Sequence, residues 1–370
     1  MASRRTLQAS LRYLLPATSL GGSLCYSACE EPTPSKNRLL FVGTGSSTGC
    51  PRPACPLLYS EASKQHLTPK LQELREDMAQ YCVVSNLAGQ GDPKTNKNYR
   101  NNPSLLISFV PPGESKPKNI LIDAGKTFRE GALRWFPDNG IATIDAIILT
   151  HQHMDAAGGL DDVRGFQHYI NLHNRPAHVP PQSIPMPLYL APPCHQSLQT
   201  SFPWLLPKPK KHQKEDPNAI QRHVASFQVT MMEHFQSYDI HGLKVWALPV
   251  MHGEDFVSLG FAFTVGQTNV LYLSDISRML PETMTFIHDH LPPTDILVID
   301  ALHPTRRNPV HYSLEQAVAL AEEIAPKQQT YLVGMNCDSF PPHEAANEML
   351  RKKYGPKIQL AHDGLVLETR

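Results

Sequence analysis

The stretch THQHMDAAGGLDD, residues 150–162, follows directly on DAIILT, residues 145–150, a β-rich apolar run. A run of that length predicts a buried strand, so His151, His153 and Asp155 leave its carboxyl end at alternate positions and emerge close together. Neutral imidazole nitrogens and carboxylate oxygens are ligands that Zn²⁺ and related first-row ions take, and an ion with an open position lowers the pKa of its bound water to about 7. A lone H-x-H pair reads equally well as two surface histidines. Here the pair has company. VMHGEDFVSLGF, residues 250–261, sets His252 just beyond another apolar run, and VLYLSDIS, residues 270–277, sets Asp275 beyond a third. Four ligand-type side chains at strand ends predict one metal site built from His151, His153, His252 and Asp275.

RLLFVGT, residues 38–44, is a short apolar run halted by Gly43 and Gly45, the pattern of a buried strand entering a tight turn. Residues 46–102 are polar and rich in Pro, Gly and Asn, a long decorated loop with one helix over Leu67 to Tyr81. Leu105 to Val110 and Ile120 to Asp123 flank the turn-like PPGESKPKN and predict a hairpin. Apolar runs at Leu188–Leu190, Phe227–Met232, Val245–Val250, Leu259–Val265, Val270–Leu273 and Ile296–Ile299 predict further strands. Helical spacing marks Phe128–Phe136, Leu314–Ile324 and Glu344–Lys353, and Ser313 followed by Gln316 suits an amino-terminal cap. Meandering strands, then strands alternating with helices, predict an α/β domain of two sheets between helices. The proline-rich His168–Pro187 and the lysine-bearing Pro203–Pro217 read as surface connections, so insertions are expected over 46–102 and 168–217.

Composition bounds the function class. Lys plus Arg balances Asp plus Glu at 34 each, so no global field points to nucleic acid or an anionic membrane as partner. No apolar run is long enough for a membrane span. Seven irregularly spaced cysteines argue against a disulfide framework. The first acidic residue is Glu30, preceded by Arg4, Arg5 and Arg12 among Ser, Leu and Ala. That pattern predicts a transit peptide over residues 1–37 and a mitochondrial address, the other reading being a disordered tail on a cytoplasmic protein. One domain over 38–370 remains.

FVGTGSS, NYRNNPSLLI, LIDAG, ILTHQHMDAAGGLDD, the His252 and Asp275 motifs, VIDAL, HYSLEQA and HDGL together make a specific set. With them the sequence resembles the metallo-β-lactamase superfamily, whose signature is H-x-H-x-D-H followed by a distant His, an Asp and a last His. Within it the likeness is to phosphodiesterases that open ribose cyclic phosphates and their eukaryotic relatives. The resemblance runs from about Leu39 to Leu365 and implies a four-layer αββα sandwich, the metallo-β-lactamase fold. It implies His151, His153 and His252 as the first metal site, Asp275 as the carboxylate bridging to a second, and Asp155 as a ligand of that second site. The signature's next histidine is Ala156 here, and its last histidine falls at Cys337, whose thiolate could ligate in its place.

The same resemblance implies catalytic roles for Asp155, orienting the attacking water, and for His311, protonating a leaving alkoxide. His303 reads as a loop histidine. Asp123 in LIDAG matches a buried carboxylate that orients metal-binding histidines. Arg100 suits a turn first and a phosphate contact second. Such relatives can also hold a separate structural zinc with cysteines and a late histidine. This chain offers Cys55, Cys82 and His343 for it, with Cys50 nearby and Ser85 in a partner position.

The expectation is a metal-dependent hydrolase, a phosphodiesterase acting on a small cyclic phosphate or related phosphodiester through a metal-bound hydroxide. One or two ions are expected, Zn²⁺ or Mn²⁺, with a small-molecule phosphodiester as partner and a homodimer compatible with the sequence. Ala156 favours a mononuclear or altered site. Ala156 and Cys337 together motivate a rival, a non-catalytic fold member serving as a binding or scaffold protein, and the resemblance implies a second, a mononuclear iron dioxygenase of sulfur compounds, a chemistry the superfamily also hosts.

Overall fold

Leu39 and Phe41 point to one side of the first strand, Leu40 and Val42 to the other, and all four are buried. Successive side chains of a strand alternate between faces, so a continuous apolar run such as RLLFV suits a strand covered on both. The computed structural model describes residues 37–55, 68–70, 72–73, 83–170, 182–206 and 224–369. The transit-peptide reading, most of the helix expected over 67–81, Cys82, and the lysines of 208–214 lie outside them.

Among the described residues the strands, in chain order, are β1 Arg38–Gly43, β2 Ser104–Phe109, β3 Lys118–Ile122, β4 Ala146–Ile148, β5 Tyr169–Ile170, β6 Gln182–Ser183, β7 Met186–Leu190 and β8 Phe227–Met231. They continue as β9 Ser237–Ile240, β10 Leu243–Met251, β11 Val257–Val265, β12 Thr268–Leu273, β13 Ile296–Asp300, β14 Gln329–Val333, β15 Ile358–Leu360 and β16 Val366–Glu368. One sheet runs β16-β1-β2-β3-β4-β7-β8, the other β15-β14-β13-β12-β11-β10-β9, and β5 pairs only with β6. The expected hairpin is β2–β3, antiparallel, with Leu105 opposite Ile122. Among the α-helices of the described residues are α1 Val83–Ala88, α2 Phe128–Trp135, α3 Met154–Ala157, α4 Pro192–Ser201, α5 Pro281–His290, α6 Leu314–Ile324 and α7 His343–Tyr354.

Three apolar layers follow from these faces. Leu39, Ile107 and Ile120 from one sheet meet Phe261, Tyr272 and Val298 from the other in the central layer. Phe128, Ala132 and Trp135 of α2, with Leu198 of α4, cover the outside of the first sheet. Ala317 and Val318 of α6, Ile287 of α5 and Leu350 of α7 cover the outside of the second. The fold is the four-layer αββα sandwich. Each fully buried Leu, Ile or Phe contributes roughly 1.5–3 kcal/mol, so burial on both faces, more than strand propensity, holds the sheets together.

Two local features differ from or match the sequence expectation in instructive ways. The stretch expected as an insertion over 168–217 holds the strand expected at Leu188–Leu190, β7, which pairs with β4 and β8, and also α4 of the outer layer, which the sequence reading does not include. Its prolines suggested a loop, yet Pro192 and Pro193 occupy the first turn of α4, where a missing N–H is not needed. At α6, Ser313 Oγ accepts from Gln316 N–H at 3.3 Å, and Gln316 Oε1 accepts from Ser313 N–H at 3.1 Å, a reciprocal cap.

For the site, the strand ends matter most. His151 lies just past β4, His252 follows β10, Asp275 follows β12, and Asp300 is the last residue of β13. The two sheets are tied at this rim, because Leu259 N–H at the start of β11 donates to the Thr150 carbonyl at 3.0 Å.

Candidate metal centre

The turn that carries His151 and His153 is held against the LIDAG loop by backbone bonds. Ala124 N–H donates to the Ala156 carbonyl at 2.7 Å and Lys126 N–H to the Met154 carbonyl at 2.9 Å. Gly125 lies so close that an added Cβ would sit 1.8 Å from the Asp155 carbonyl oxygen, so only glycine fits there. Asp123 holds the start of the turn, accepting from Thr150 N–H and from the Thr150 hydroxyl, each at 2.8 Å. With its proton committed to Asp123, Thr150 Oγ1 accepts from His151 Nδ1–H at 2.9 Å. Asp123 therefore orients His151 through Thr150 rather than by direct contact.

His252 is fixed in the same sense, its Nδ1–H donating to the Val310 carbonyl at 2.8 Å. In both rings the Nε2 lone pair is left for the site. His151 Nε2 is buried and has no hydrogen-bond partner among the described residues, a costly state unless something binds there. Ligand atoms of His151, His153 and His252 lie within 4.8 Å of one another, as do those of His151, Asp155 and Asp275, and those of His252, Asp275 and His311. Donor types, burial and the unpartnered nitrogen all fit a divalent ion.

The electrostatics agree. Burial pushes the His151 imidazole down to about 3 and lowers His252 and His153, leaving the neutral form in which imidazole ligates. Burial alone would lift Asp275, but the imidazoles of His151, His311 and His252 around it hold it below the usual carboxylate range. Burial, then the neighbouring Asp275, lifts Asp155 to about 6. For His311 burial works downward, yet the Asp300 carboxylate prevails and lifts it to about 9. That pairing is a 2.6 Å hydrogen bond from His311 Nδ1–H to Asp300 Oδ2.

Of the residues singled out by sequence, His151, His153, His252, Asp275, Asp155 and His311 come together. Cys337 does not. It lies in a small buried cluster with Cys50, Cys55, Val84 and Ala88, and a hydrogen bond from Cys50 holds its thiol down at about 6. The reason is the path after β14: Gly334 N–H donates to the Thr44 carbonyl and Met335 pairs with Gly45. Those contacts lead Cys337 to the loop of Cys50 and away from the histidines. His311 instead joins His252 and Asp275, their ligand-type atoms lying within 4.8 Å of one another. Ala156 is buried and offers no ligand.

Three further residues complete the picture. His303 is engaged elsewhere, its Nδ1 with Ser339 Oγ at 2.7 Å and its Nε2 with Arg306. Arg100 is fully buried, its backbone paired with Cys50 in the turn the sequence suggests. His343 is buried with Nε2 against Asn347 at 3.0 Å. Sequence reasoning passed over Asp300, although it ends an apolar strand as a carboxylate, the same signal that revealed Asp275. It also passed over Phe256, whose ring lies against the histidines.

Residues 118–335, more than half of the chain, match the family model described as Beta-lactamase superfamily domain. The chain belongs to the β-lactamase superfamily. This superfamily member is similar to a crystal structure described as a new diphosphatase from the PhnP family, at 27% identity and a TM-score of 0.62, covering 90% of this chain and 98% of that one. Zn²⁺-bound PqqB from Methylobacterium extorquens shares the fold at 16% identity and a TM-score of 0.59, covering 90% and 100% of the two chains. A curated relative, the octanoyltransferase of Porphyromonas gingivalis, is 25% identical over 328 residues, which make up 89% of this chain and 51% of the relative. The chain spans about half the length of that curated relative.

Proposed function

We propose that this chain is a metal-dependent hydrolase of small phosphodiesters, with a ribose cyclic phosphate or a related diester as the substrate class. The observation that carries this reading is the convergence of His151, His153, His252, Asp155, Asp275 and His311 within overlapping 4.8 Å groups, beside an acid–base pair at Asp300 and His311. Similarity to a PhnP-family diphosphatase supports a phosphorus centre as the point of attack.

A divalent ion bound at these side chains supplies Lewis acidity and a more acidic water. The residues do the rest. Asp155 orients the attacking water and takes up its proton as the new O–P bond forms. Its carboxyl, lifted by burial, is suited to hold that proton. His311 carries its Nδ1 proton into the bond with Asp300, so Nε2–H is the proton given to the departing alkoxide as the ester P–O bond breaks. Asp300 keeps the imidazole turned toward the site and charged.

The test is hydrolysis of bis(4-nitrophenyl) phosphate and of a ribose 1,2-cyclic phosphate by the full chain, with Zn²⁺ or Mn²⁺ and after chelation. Turnover of a diester that chelation abolishes supports the reading. Metal-loaded protein that turns over neither diester contradicts it.

A further inference from the structure

The three histidines of the first metal group are not held alike. His151 and His252 each have Nδ1 fixed by a hydrogen bond, to Thr150 and to the Val310 carbonyl. His153 is exposed and makes no ring hydrogen bond among the described residues. An exposed imidazole free to turn is a poor ligand, because ring orientation is what outer partners of metal-binding histidines normally set.

Phe256 stands where that partner is missing. Its ring stacks on His153 with centroids 5.1 Å apart and planes 16° from parallel. It meets His252 edge-on at 5.7 Å and His151 at 6.1 Å. The ring is carried on a turn built into the ligand loop: His252 N–H donates to the Phe256 carbonyl at 2.8 Å. Gly253 turns there at φ 116°, a conformation that favours glycine, and its N–H donates to Ser277 Oγ at 2.9 Å. For the His153 ring to swing across its present plane it would have to push this anchored phenyl aside.

We propose that Phe256 is a positioning residue that fixes the imidazole plane of His153, doing by stacking what hydrogen bonds do for His151 and His252. The value of this contact for ion binding rests on the proposed metal reading, whereas the contact itself does not. The requirement is for a flat aromatic face, so Tyr serves and an aliphatic side chain of similar bulk does not.

Two measurements on the full chain separate the possibilities. Zn²⁺ affinity, read by competition with a chromogenic chelator, is expected to weaken about tenfold in Phe256→Leu and to stay within about twofold of wild type in Phe256→Tyr. Proton NMR of the metal-free protein should show the His153 ring protons shifted upfield by the phenyl face, the shift vanishing in Phe256→Leu and persisting in Phe256→Tyr. Unchanged thermal melting of Phe256→Leu separates positioning from simple loss of fold. A Phe256→Leu protein that binds Zn²⁺ as tightly as wild type overturns the inference, as does a wild-type His153 resonance without the upfield shift. If wild type binds no Zn²⁺ at all, the metal reading fails, and the NMR comparison alone decides the role of Phe256.

Discussion

Two clusters of buried titratable side chains sit on the loops of this fold, and they differ in where their polar atoms point. Around His151 the groups converge on one spot and leave a buried nitrogen without a partner. Around Arg100 it is the backbone and the Asp363 carboxylate that close on one another, while the buried guanidinium makes no hydrogen bond among the described residues. Asp363 accepts from Asn101 N–H at 2.7 Å and from the Thr44 hydroxyl at 2.8 Å. Arg100 and Cys50 exchange backbone hydrogen bonds at 2.8 and 2.7 Å. The Cys50 and Cys337 thiols share a hydrogen bond. Burial pushes the Arg100 guanidinium below its ordinary value, and Cys50 and Asp363 beside it oppose that only in part. Polar groups are thus buried in two ways: one set, bonded largely through the backbone, staples the early loop to residues 100–102 and to the carboxyl-terminal segment, whereas the convergent one leaves room for an ion.

Substitutions should separate these roles cleanly. The largest effect is expected of His252→Ala, with diester turnover falling about 10³-fold or more, the several kcal/mol that Lewis-acid assistance supplies. Its urea-unfolding curve, measured metal-free, should match wild type. Arg100→Ala should do the reverse: stability falls by about 2–5 kcal/mol because a large, fully buried side chain leaves a cavity, while zinc bound per folded molecule at the histidines is kept. Equal unfolding curves for Arg100→Ala and wild type would erase the distinction.

Smaller effects sharpen each side. His311→Asn should slow diesters with an alkoxide leaving group by about 100-fold, yet barely slow those releasing 4-nitrophenolate, which needs no proton. Equal slowing of both would make His311 a ligand and not an acid. On the other side, burial lifts the Asp363 carboxyl from 3.8 to about 7, so the folded state holds this proton more tightly than the unfolded chain. Its contribution to stability is full below the unfolded value and is lost as pH rises through the folded one. Between about pH 4 and pH 7 wild type should therefore lose stability relative to Asp363→Asn, which cannot ionise. Parallel stability curves across that window would show that Asp363 stays ionised.

Much of this was legible in the sequence, for definable reasons. Strands covered on both faces, such as Leu39–Val42 and Ile296–Ile299, read as apolar runs because both sides are core. His151, His252 and Asp275 were legible because each follows such a run directly. Cys337 was misplaced because counting residues past a strand does not show which way the chain turns, and the pairing of Met335 with Gly45 turns it toward Cys50. The strand β14 and the helix α4 were not expected, the one too mixed in composition and the other begun by two prolines. The stacking of Phe256 on His153 could not be read at all, since it depends on a turn five residues long between His252 and Phe256.

The central claim is that the convergent imidazoles hold an ion. Its most direct test is elemental analysis of wild type and His252→Ala purified identically without added metal. The account predicts that wild type carries at least about one equivalent more of a divalent metal than the variant. Equal metal content in the two proteins would contradict it.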